Sequence, residues 1–564
     1  GMEHLGDGSR PLQALEYPFD SYYNPDPSRD HIRIHGKMLS MAMLPVVVLI
    51  GLGVAVSHWY STKAITSIEQ IAILPFTSER AEPAPSPDHS TAPPKTNVHV
   101  LIVVGPTISG FSDHGLVGRV TPEIPVRAFS WEEVLQGIIQ KVKWEAAENE
   151  TWDATFAIQR EEEFLSNPGT GNVMLGFGLY DKQWDEILDN SRQALPSIRG
   201  LFDCGESALG LTKLGVFERN SFAVALQALL FPGQARQHKS VHDLCQMLVA
   251  RKTGEDLFYC ILVIINAFCV TIPFVDKTLG SNFATQKKMV ENCKDQIVAC
   301  AKSKDCRQSL KCLMGCVEND QVCSYRCITS YECREFADFA LCTLQKNNLL
   351  GLNAKIPKFP EVSAMHQFRG NDLSWEASEL IFRGWLGAEP FSWLVVAGVN
   401  PAYDFFPAQH QIFYNGKARG SFWYDPVFLV ETLDGRREWR RRNYRCRRGQ
   451  SPGEWMFSTL DNGVISSESW RIVDAADDLS YAVFYYKGAA RVVGQRYRGA
   501  VVGSRTGRVR PEDVPRIEAA LLQCGIYPWE LFGVLSPTEL KALGRFPLQL
   551  PPLGLSNEAR ETLP

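Results

Sequence analysis

Cysteines are the residues whose number and spacing most clearly suggest chemistry. Nine of the 15 fall between positions 293 and 342, with the pattern C-x6-C-x5-C-x5-C-x3-C-x6-C-x3-C-x5-C-x8-C. Zinc sites usually combine C-x2–4-C pairs, and two C-x3-C pairs occur here. The intervening residues are helical in type, which favours short helices joined by disulfides. We therefore predict an oxidising compartment and no metal site. The cysteines expected to form disulfides are Cys293, Cys300, Cys306, Cys312, Cys316, Cys323, Cys327, Cys333 and Cys342.

The composition is that of a folded, multidomain protein. The chain has 564 residues, which suggests about three domains. Hydrophobic residues make up 45% and charged residues 21%, as in globular proteins. The net charge is −5, from 58 Lys and Arg against 63 Asp and Glu. This balance argues against a generally polyanion-binding surface, and we expect no nucleic-acid partner.

Two uncharged runs are long enough to bear on membrane topology. Residues 38–56 (MLSMAMLPVVVLIGLGVAV) have about the length of a bilayer core and follow basic residues, so they predict a signal or transmembrane segment. Residues 257–275 form the second run, interrupted by Asn266 and Pro273. We interpret it as a buried core helix, with a second membrane span as the alternative.

Between residues 97 and 250, strand and helix patterns alternate. A β-branched run at 98–104 and a glycine-rich run at 171–178 predict strands, whereas 131–144 and 198–209 are helical in type. This alternation predicts a small α/β unit. His238 and His242 are four residues apart, but no third ligand accompanies them, so surface histidines are the simpler interpretation.

From residue 391 onward the pattern changes to short strands. About eight of them follow one another in hairpin order, with Asn-Gly or Asp-Gly turns at 415–416, 434–435 and 462–463. A helix at 512–524 follows. This order predicts a lipocalin-like up-and-down barrel that can hold one small apolar ligand. Trp393, near the start of the first strand, is similar to the lipocalin pattern.

Inside the barrel region lies a run of eight arginines between 436 and 448, interleaved with Trp439 and Tyr444. Nucleic-acid binding is one interpretation. Because side chains alternate along a strand, a solvated face or a membrane-surface patch is favoured instead. An inward arginine paired with a carboxylate is a further alternative.

The predicted fold class is therefore multidomain α+β. An α/β segment precedes a cysteine-rich helical segment, and a lipocalin-like up-and-down β-barrel with a C-terminal helix follows. The boundaries are a polar segment (1–37), a signal or transmembrane segment (38–56), a Pro/Ser-rich linker (57–96), an α/β domain of unknown role (97–250), an apolar helix with the cysteine-rich disulfide domain (251–355), the barrel (356–535) and a C-terminal tail (536–564).

A cysteine-rich helical segment directly before a lipocalin-like barrel resembles the violaxanthin de-epoxidase family, and within it the de-epoxidase-related proteins. The resemblance covers about residues 256–534. It rests on the cysteine cluster, on DQVCSYRC (320–327) and on the barrel segments VVAGVNPAYD, KARGSFWYDPVF, LDNGV and YYKGAARVVGQ. It implies a chloroplast protein of the thylakoid lumen or thylakoid membrane, acting in the xanthophyll cycle, photoprotection or carotenoid biosynthesis.

The resemblance also implies site residues. The family's acidic and tyrosine positions match Asp404, Glu468 and Tyr486 as catalytic residues. An acid in an apolar barrel has a raised pKa and can protonate an epoxide oxygen. The implied reductant is ascorbate, and the implied partners are a xanthophyll carotenoid and thylakoid membrane lipid. We expect the substrate to be bound by Trp393, Asn400, Tyr403, Trp423 and Trp470.

Departures from the family pattern leave alternatives open. The family's histidines align with Gln411 and Tyr414, and a later tyrosine aligns with Gly503. A redox-neutral tautomerase that gives an allenic product, or a non-catalytic carotenoid- or lipid-binding lipocalin, are the alternatives to the de-epoxidase. Eight of the clustered cysteines follow the family spacing. The ninth, Cys333, is additional, and we expect it to pair with Cys269.

Overall fold

The computed structural model describes residues 95–106, 116, 127–149, 151–179, 200–204, 241, 244–245, 253–272, 275, 283–316, 320–383, 392–400, 406, 409–416 and 418–534. Several predictions fall outside these residues. They concern the uncharged run at 38–56, the linker, His238 and His242, the tail at 536–564, and the site residues Tyr403 and Asp404.

The first folded unit is a parallel sheet flanked by helices. Its elements are β1 (Thr96–Val104), α1 (Trp131–Glu148), β2 (Trp152–Arg160), α2 (Glu161–Ser166), β3 (Val173–Phe177) and β4 (Gly200–Cys204), with strand order β2-β1-β3-β4. The predicted α/β unit is confirmed. The helical prediction for 198–209 is wrong at β4, because a short apolar run has the same composition in a strand as in a helix.

Residues 257–268 of the second apolar run lie in α3 (Gly254–Phe268), which begins at a Thr253 cap. Its buried side chains share one core with β1, β3 and α1. The predicted buried helix is confirmed, and it packs with the α/β segment, whereas the predicted boundaries place it with the cysteine-rich segment. Within the described ranges, no helix combines the length and the apolar character that a membrane crossing requires.

The cysteine-rich segment consists of short helices joined by disulfides: α4 (Phe283–Lys302), α5 (Lys304–Gly315), α6 (Gln321–Ser330) and α7 (Arg334–Ala340), continued by a π-helical turn (Leu341–Lys346). The bridges are Cys293–Cys342, Cys300–Cys306, Cys312–Cys327 and Cys316–Cys323. The predicted disulfide framework is confirmed for eight cysteines.

Cys333 is the exception within the cluster. It is a half-buried free thiol at the start of α7. The predicted disulfide at Cys333, and with it the bridge to Cys269, is therefore wrong. Cys269 ends helix α3, which is packed in the α/β core. Cys333 packs instead against the cluster around Cys300 and Cys306.

The second half of the chain forms a closed antiparallel barrel. Its strands are β7 (Ser392–Gly398), β8 (Gln409–Asn415), β9 (Ser421–Glu431), β10 (Arg437–Arg441), β11 (Tyr444–Arg448), β12 (Glu454–Asp461), β13 (Val464–Ala475), β14 (Tyr481–Ala490) and β15 (Gln495–Ser504). β10 and β11 pair with successive parts of β9, so they act as one interrupted strand. β15 pairs with β7 and closes an eight-strand barrel, as predicted.

Short elements complete this region. A small hairpin, β5 (Gln367–Phe368) and β6 (Asn371–Asp372), and the helix α8 (Trp375–Arg383) precede the barrel. Helix α9 (Val514–Gln523) and strand β16 (Phe532–Gly533) follow it, and β16 pairs with β7. The predicted C-terminal helix is confirmed.

Aromatic side chains from outside the barrel cover its two ends. Phe382 of α8 packs against Phe422, and Tyr325 of α6 packs against Phe428. Phe422 and Phe428 are six positions apart on β9, a distance of about 20 Å. One end of the barrel is therefore closed by α8, and the other is covered by the cysteine-rich segment.

The arginine run connects the barrel to the cysteine-rich segment. Arg440 and Arg442 both form ion pairs with Glu332, which follows α6, at 3.1 Å. Arg440 and Arg436 also donate to the Thr329 and Ser330 carbonyls at the C-terminal end of α6. These arginines thus pair with a carboxylate of the cysteine-rich segment, and their positive charge interacts favourably with the C-terminal end of the α6 dipole.

Candidate functional site

Glu468 is a carboxyl group in the barrel interior. It lies on β13, opposite Phe457 of β12 and Gly488 of β14. Trp470 and Ile472 follow at two-residue intervals and belong to the interior core, so strand alternation directs the Glu468 side chain inward as well. Only 3% of Glu468 is exposed.

Three neutral donors hold the Glu468 carboxyl group. The Trp470 indole Nε1 donates to Oε2 at 2.6 Å, and the Tyr497 hydroxyl donates to Oε1 at 2.7 Å. The Tyr444 hydroxyl lies farther from Oε1, at 3.4 Å. None of the ion pairs found in the described part of the chain includes Glu468. The carboxyl is therefore oriented by hydrogen bonds and faces no neutralising cation there.

Burial raises the pKa of Glu468 above its usual value, although the hydrogen bonds from Trp470, Tyr497 and Tyr444 oppose the shift. Desolvation penalises the charged form of a buried carboxyl group. Glu468 consequently keeps its proton to a higher pH than an exposed glutamate. A protonated carboxyl in this position is suited to general-acid chemistry.

The walls around Glu468 are aromatic. Trp470 stacks between Phe457 and Tyr486, with ring centroids 4.7 and 4.9 Å away. Tyr424 meets the edge of Trp470 at 5.5 Å, and its hydroxyl donates to the amide oxygen of Gln411. An acid surrounded by such rings is suited to an apolar substrate that carries a single basic oxygen.

The structure brings several predicted site residues together. Tyr486 and Trp470 are register partners on adjacent strands, and Trp393 lies in the same interior core. Asn400 is buried just after β7. The predicted partners Tyr403 and Asp404 lie beyond the described residues.

The prediction that Trp423 lines the binding site is wrong. Its neighbours Phe422 and Tyr424 face the interior, so alternation turns Trp423 to the outer surface. There it packs with Ile412, Tyr414 and Val427. In the run Phe-Trp-Tyr all three residues suit an interior face, and composition alone does not select which two point inward.

Two residues that contact Glu468, Tyr444 and Tyr497, were not predicted. Both belong to the barrel interior or pack against it. The available signal was strand periodicity: Tyr497, Gly499 and Val501 alternate on one face of β15, and Gly488 lies opposite Tyr497. A glycine facing a tyrosine on a neighbouring strand indicates that the ring needs that space.

Three cysteine sulfur atoms lie close enough together for a metal site. The Sγ atoms of Cys316, Cys323 and Cys327 lie within 4.8 Å of one another. All three, however, take part in the Cys316–Cys323 and Cys312–Cys327 disulfides. Thiolate is the form of cysteine that ligates metals, so in this oxidised state the sulfurs do not fit a metal site.

Comparison with known proteins gives one match to a domain family. The model of the VDE lipocalin domain matches residues 285–533, from the cysteine-rich helices to the end of the barrel. No curated protein matches the chain.

Solved structures that match include apocrustacyanin A1 of the lobster, with 14% identity, a TM-score of 0.22, and coverage of 32% of this chain and 98% of that one. Apocrustacyanin C2 has 15% identity, a TM-score of 0.22 and the same coverage. The siderocalin Ex-FABP has 14% identity and a TM-score of 0.20, covering 25% and 91%. The domain match alone bears on the family: residues 285–533 carry a VDE lipocalin domain, which supports a relationship of this part of the chain to the violaxanthin de-epoxidase family.

Proposed function

We propose that this protein is a violaxanthin de-epoxidase-like oxidoreductase that acts on an epoxy-xanthophyll. In this proposal one end ring of the carotenoid is bound among the aromatic side chains of the barrel interior, and Glu468 protonates the epoxide oxygen. The observation that carries this proposal is the buried Glu468 carboxyl, whose pKa is raised by burial within aromatic walls. The VDE lipocalin domain supports the substrate class.

The chemistry follows from the acid. Transfer of the Glu468 proton to the epoxide oxygen weakens one C–O bond and leaves an electron-poor carbon on the ring. Ascorbate then supplies two electrons and two protons: the oxygen leaves as water with the Glu468 proton and one ascorbate proton, a C=C bond forms, and the second ascorbate proton restores the Glu468 carboxyl. The hydroxyl groups of Tyr444 and Tyr497 and the amide of Gln411 are polar groups that suit a polyhydroxylated reductant.

The setting of this reaction is part of the same proposal. A barrel with an apolar interior suits a lipophilic substrate, and disulfides persist in oxidising compartments. Both agree with a chloroplast protein in the thylakoid lumen or at the thylakoid membrane, where membrane lipid holds the carotenoid. The role is then one in the xanthophyll cycle or in carotenoid biosynthesis.

The test is incubation of the full-length protein with violaxanthin, with and without ascorbate, followed by pigment chromatography. We expect a de-epoxidised product that requires ascorbate. An allenic product formed equally well without ascorbate would identify the redox-neutral reaction. Pigment that co-purifies with the protein and is never converted would identify a binding lipocalin.

A pair of variants tests the role of Glu468. Glu468→Gln keeps the shape and removes the acid, so we expect turnover to fall by about 10²-fold or more. Glu454→Gln is the matched control, because Glu454 pairs with Arg471 next to the inward-facing Trp455. If Glu468→Gln turns over as fast as Glu454→Gln, Glu468 is not the acid.

A further inference from the structure

Three consecutive residues of β15 face two different parts of the molecule. The Tyr497 side chain points into the barrel, where it reaches Glu468. Its neighbours Arg496 and Arg498 point to the opposite side, as alternation along a strand requires. There they meet helix α1 of the α/β segment.

On the inner side, Glu468, Gly488 and Tyr497 form one row across three strands. Glu468 is the register partner of Gly488, and Gly488 is the partner of Tyr497. A Cβ atom at position 488 would lie 2.7 Å from the Tyr497 hydroxyl oxygen. The missing side chain at Gly488 therefore lets the Tyr497 ring extend across β14 to the carboxyl group of Glu468.

On the outer side, two carboxylates of α1 hold both arginines. Arg496 Nη1 lies 2.8 Å from Glu145 Oε1, and Arg496 also pairs with Glu148. Arg498 Nη2 lies 3.5 Å from Glu145 and 3.4 Å from Glu148. All four side chains are at least four-fifths buried. Buried pairs of this kind strongly disfavour separation of their elements.

Hydrogen bonds to backbone groups also hold Arg496 and Arg498 in place. The Arg496 carbonyl accepts a hydrogen bond from Gln321 Nε2 of α6 at 3.2 Å. Arg498 Nε donates to the Phe359 carbonyl at 2.6 Å, and the Phe359 amide donates to Glu148. The positions on either side of Tyr497 are thus anchored to parts of the chain outside the barrel.

We propose that Tyr497 is a positioning residue that orients the Glu468 carboxyl, and that the α/β segment contributes to the site by clamping Arg496 and Arg498 on either side of it. The inference deepens the proposed function and rests on it for its catalytic meaning. It gives a role to helix α1, which contacts the opposite face of β15 from the one that bears Tyr497.

The first test measures the protonation of Glu468 directly. In infrared pH titrations, the carboxyl band of Glu468 is the one absent from Glu468→Gln. Tyr497→Phe removes a donor to the carboxylate, so we expect the pKa of Glu468 to rise further. Tyr444→Phe is the matched control, with a smaller rise, because its hydroxyl is 3.4 Å away. If Tyr497→Phe shifts the titration no more than Tyr444→Phe, the positioning role is wrong.

The second test concerns the clamp. The double variant Glu145→Gln, Glu148→Gln keeps the shape of helix α1 and removes both charges. We expect the pKa of Glu468 to rise as in Tyr497→Phe but by a smaller amount, and the triple variant that adds Tyr497→Phe to titrate like Tyr497→Phe alone. Glu132→Gln, on the same helix but paired with Arg160, should leave it unchanged. If the folded double variant leaves the titration of Glu468 unchanged, the proposed role of the α/β segment is wrong.

Activity provides a separate readout. If the protein converts violaxanthin, the alkaline limb of the pH–rate profile should shift to higher pH in Tyr497→Phe, by the same amount as the pKa of Glu468. If no conversion occurs, the infrared titrations still decide whether Tyr497 orients Glu468. Failure of the proposed reaction and failure of the positioning role are thus distinguishable.

Discussion

Phe382 stacks on Phe484 inside the barrel, with ring centroids 4.8 Å apart. Phe382 comes from helix α8, outside the barrel wall, and also packs against Phe413 and Phe422. The ring is fully buried. It therefore acts as the plug of one barrel end.

Replacing this plug should be costly. We expect Phe382→Ala to lower the free energy of unfolding by about 3–5 kcal/mol, because a fully buried aromatic ring is lost and a cavity remains. Chemical denaturation measures the change. Leu380→Ala is the control on the same helix, since Leu380 is exposed, and should cost far less. If both variants lose a similar free energy of unfolding, Phe382 does not have this role in closing the barrel.

A second prediction concerns Gly488. A methyl group there would overlap the Tyr497 ring, so Gly488→Ala should displace Tyr497 from Glu468. We expect lower stability and an infrared titration of Glu468 similar to that of Tyr497→Phe. Gly315→Ala is the control, because nothing lies within 4 Å of a Cβ built at Gly315. A Gly488→Ala variant that titrates like the unmodified protein would show that the ring is accommodated elsewhere.

The raised pKa of Glu468 has a consequence for stability. A group whose pKa is raised by folding contributes stability that is fully present below its unfolded value and is lost as the pH rises through its folded value. Glu468→Gln lacks this dependence. We therefore expect the free energy of unfolding of the variant, relative to the unmodified protein, to increase as the pH rises from acid to neutral. Denaturant titrations across this pH range measure it, and a constant difference would contradict the shift.

The arginines of the run at 436–448 should differ in their contribution to the free energy of unfolding. Arg442 is buried and pairs with Glu332 at 3.1 Å and Asp461 at 2.7 Å. We expect Arg442→Met to cost about 2–3 kcal/mol, because Asp461 loses its ion pair with Arg442 in a poorly solvated site and Glu332 keeps Arg440 but loses Arg442. Arg437→Met, which breaks an exposed pair with Glu431, should cost about 0–1 kcal/mol. Thermal unfolding of both variants compares them, and equal shifts would exclude the proposed anchorage.

The cysteine connectivity is open to direct mapping. We expect non-reducing peptide analysis to recover Cys293–Cys342, Cys300–Cys306, Cys312–Cys327 and Cys316–Cys323. Alkylation before reduction should label Cys333, which is half-buried, ahead of the buried Cys446 and Cys524. Recovery of a Cys269–Cys333 peptide would contradict this arrangement.

The barrel strands were predictable because their local patterns agree with the global fold. Asn462 and Gly463 both have positive φ, which matches the Asn-Gly hairpin turn expected at this position. The disulfide partners were not predictable, because spacing along helices does not say which helices meet. The reach of Tyr497 across Gly488 depends on the register of three strands, which a single strand's pattern does not contain. The outward orientation of Trp423 was missed for the related reason that its neighbours are equally apolar.

The boundary of the matched domain and the boundary of the folded unit do not coincide. Glu530 lies within residues 285–533, but it is buried against Lys141 of helix α1, far outside that range. Trp529 packs in the core of the α/β sheet. An excised fragment limited to the matched residues would carry a buried carboxylate without its lysine and an aromatic ring without its pocket. The two halves of this chain are therefore expected to be expressed, purified and unfolded as a single cooperative body.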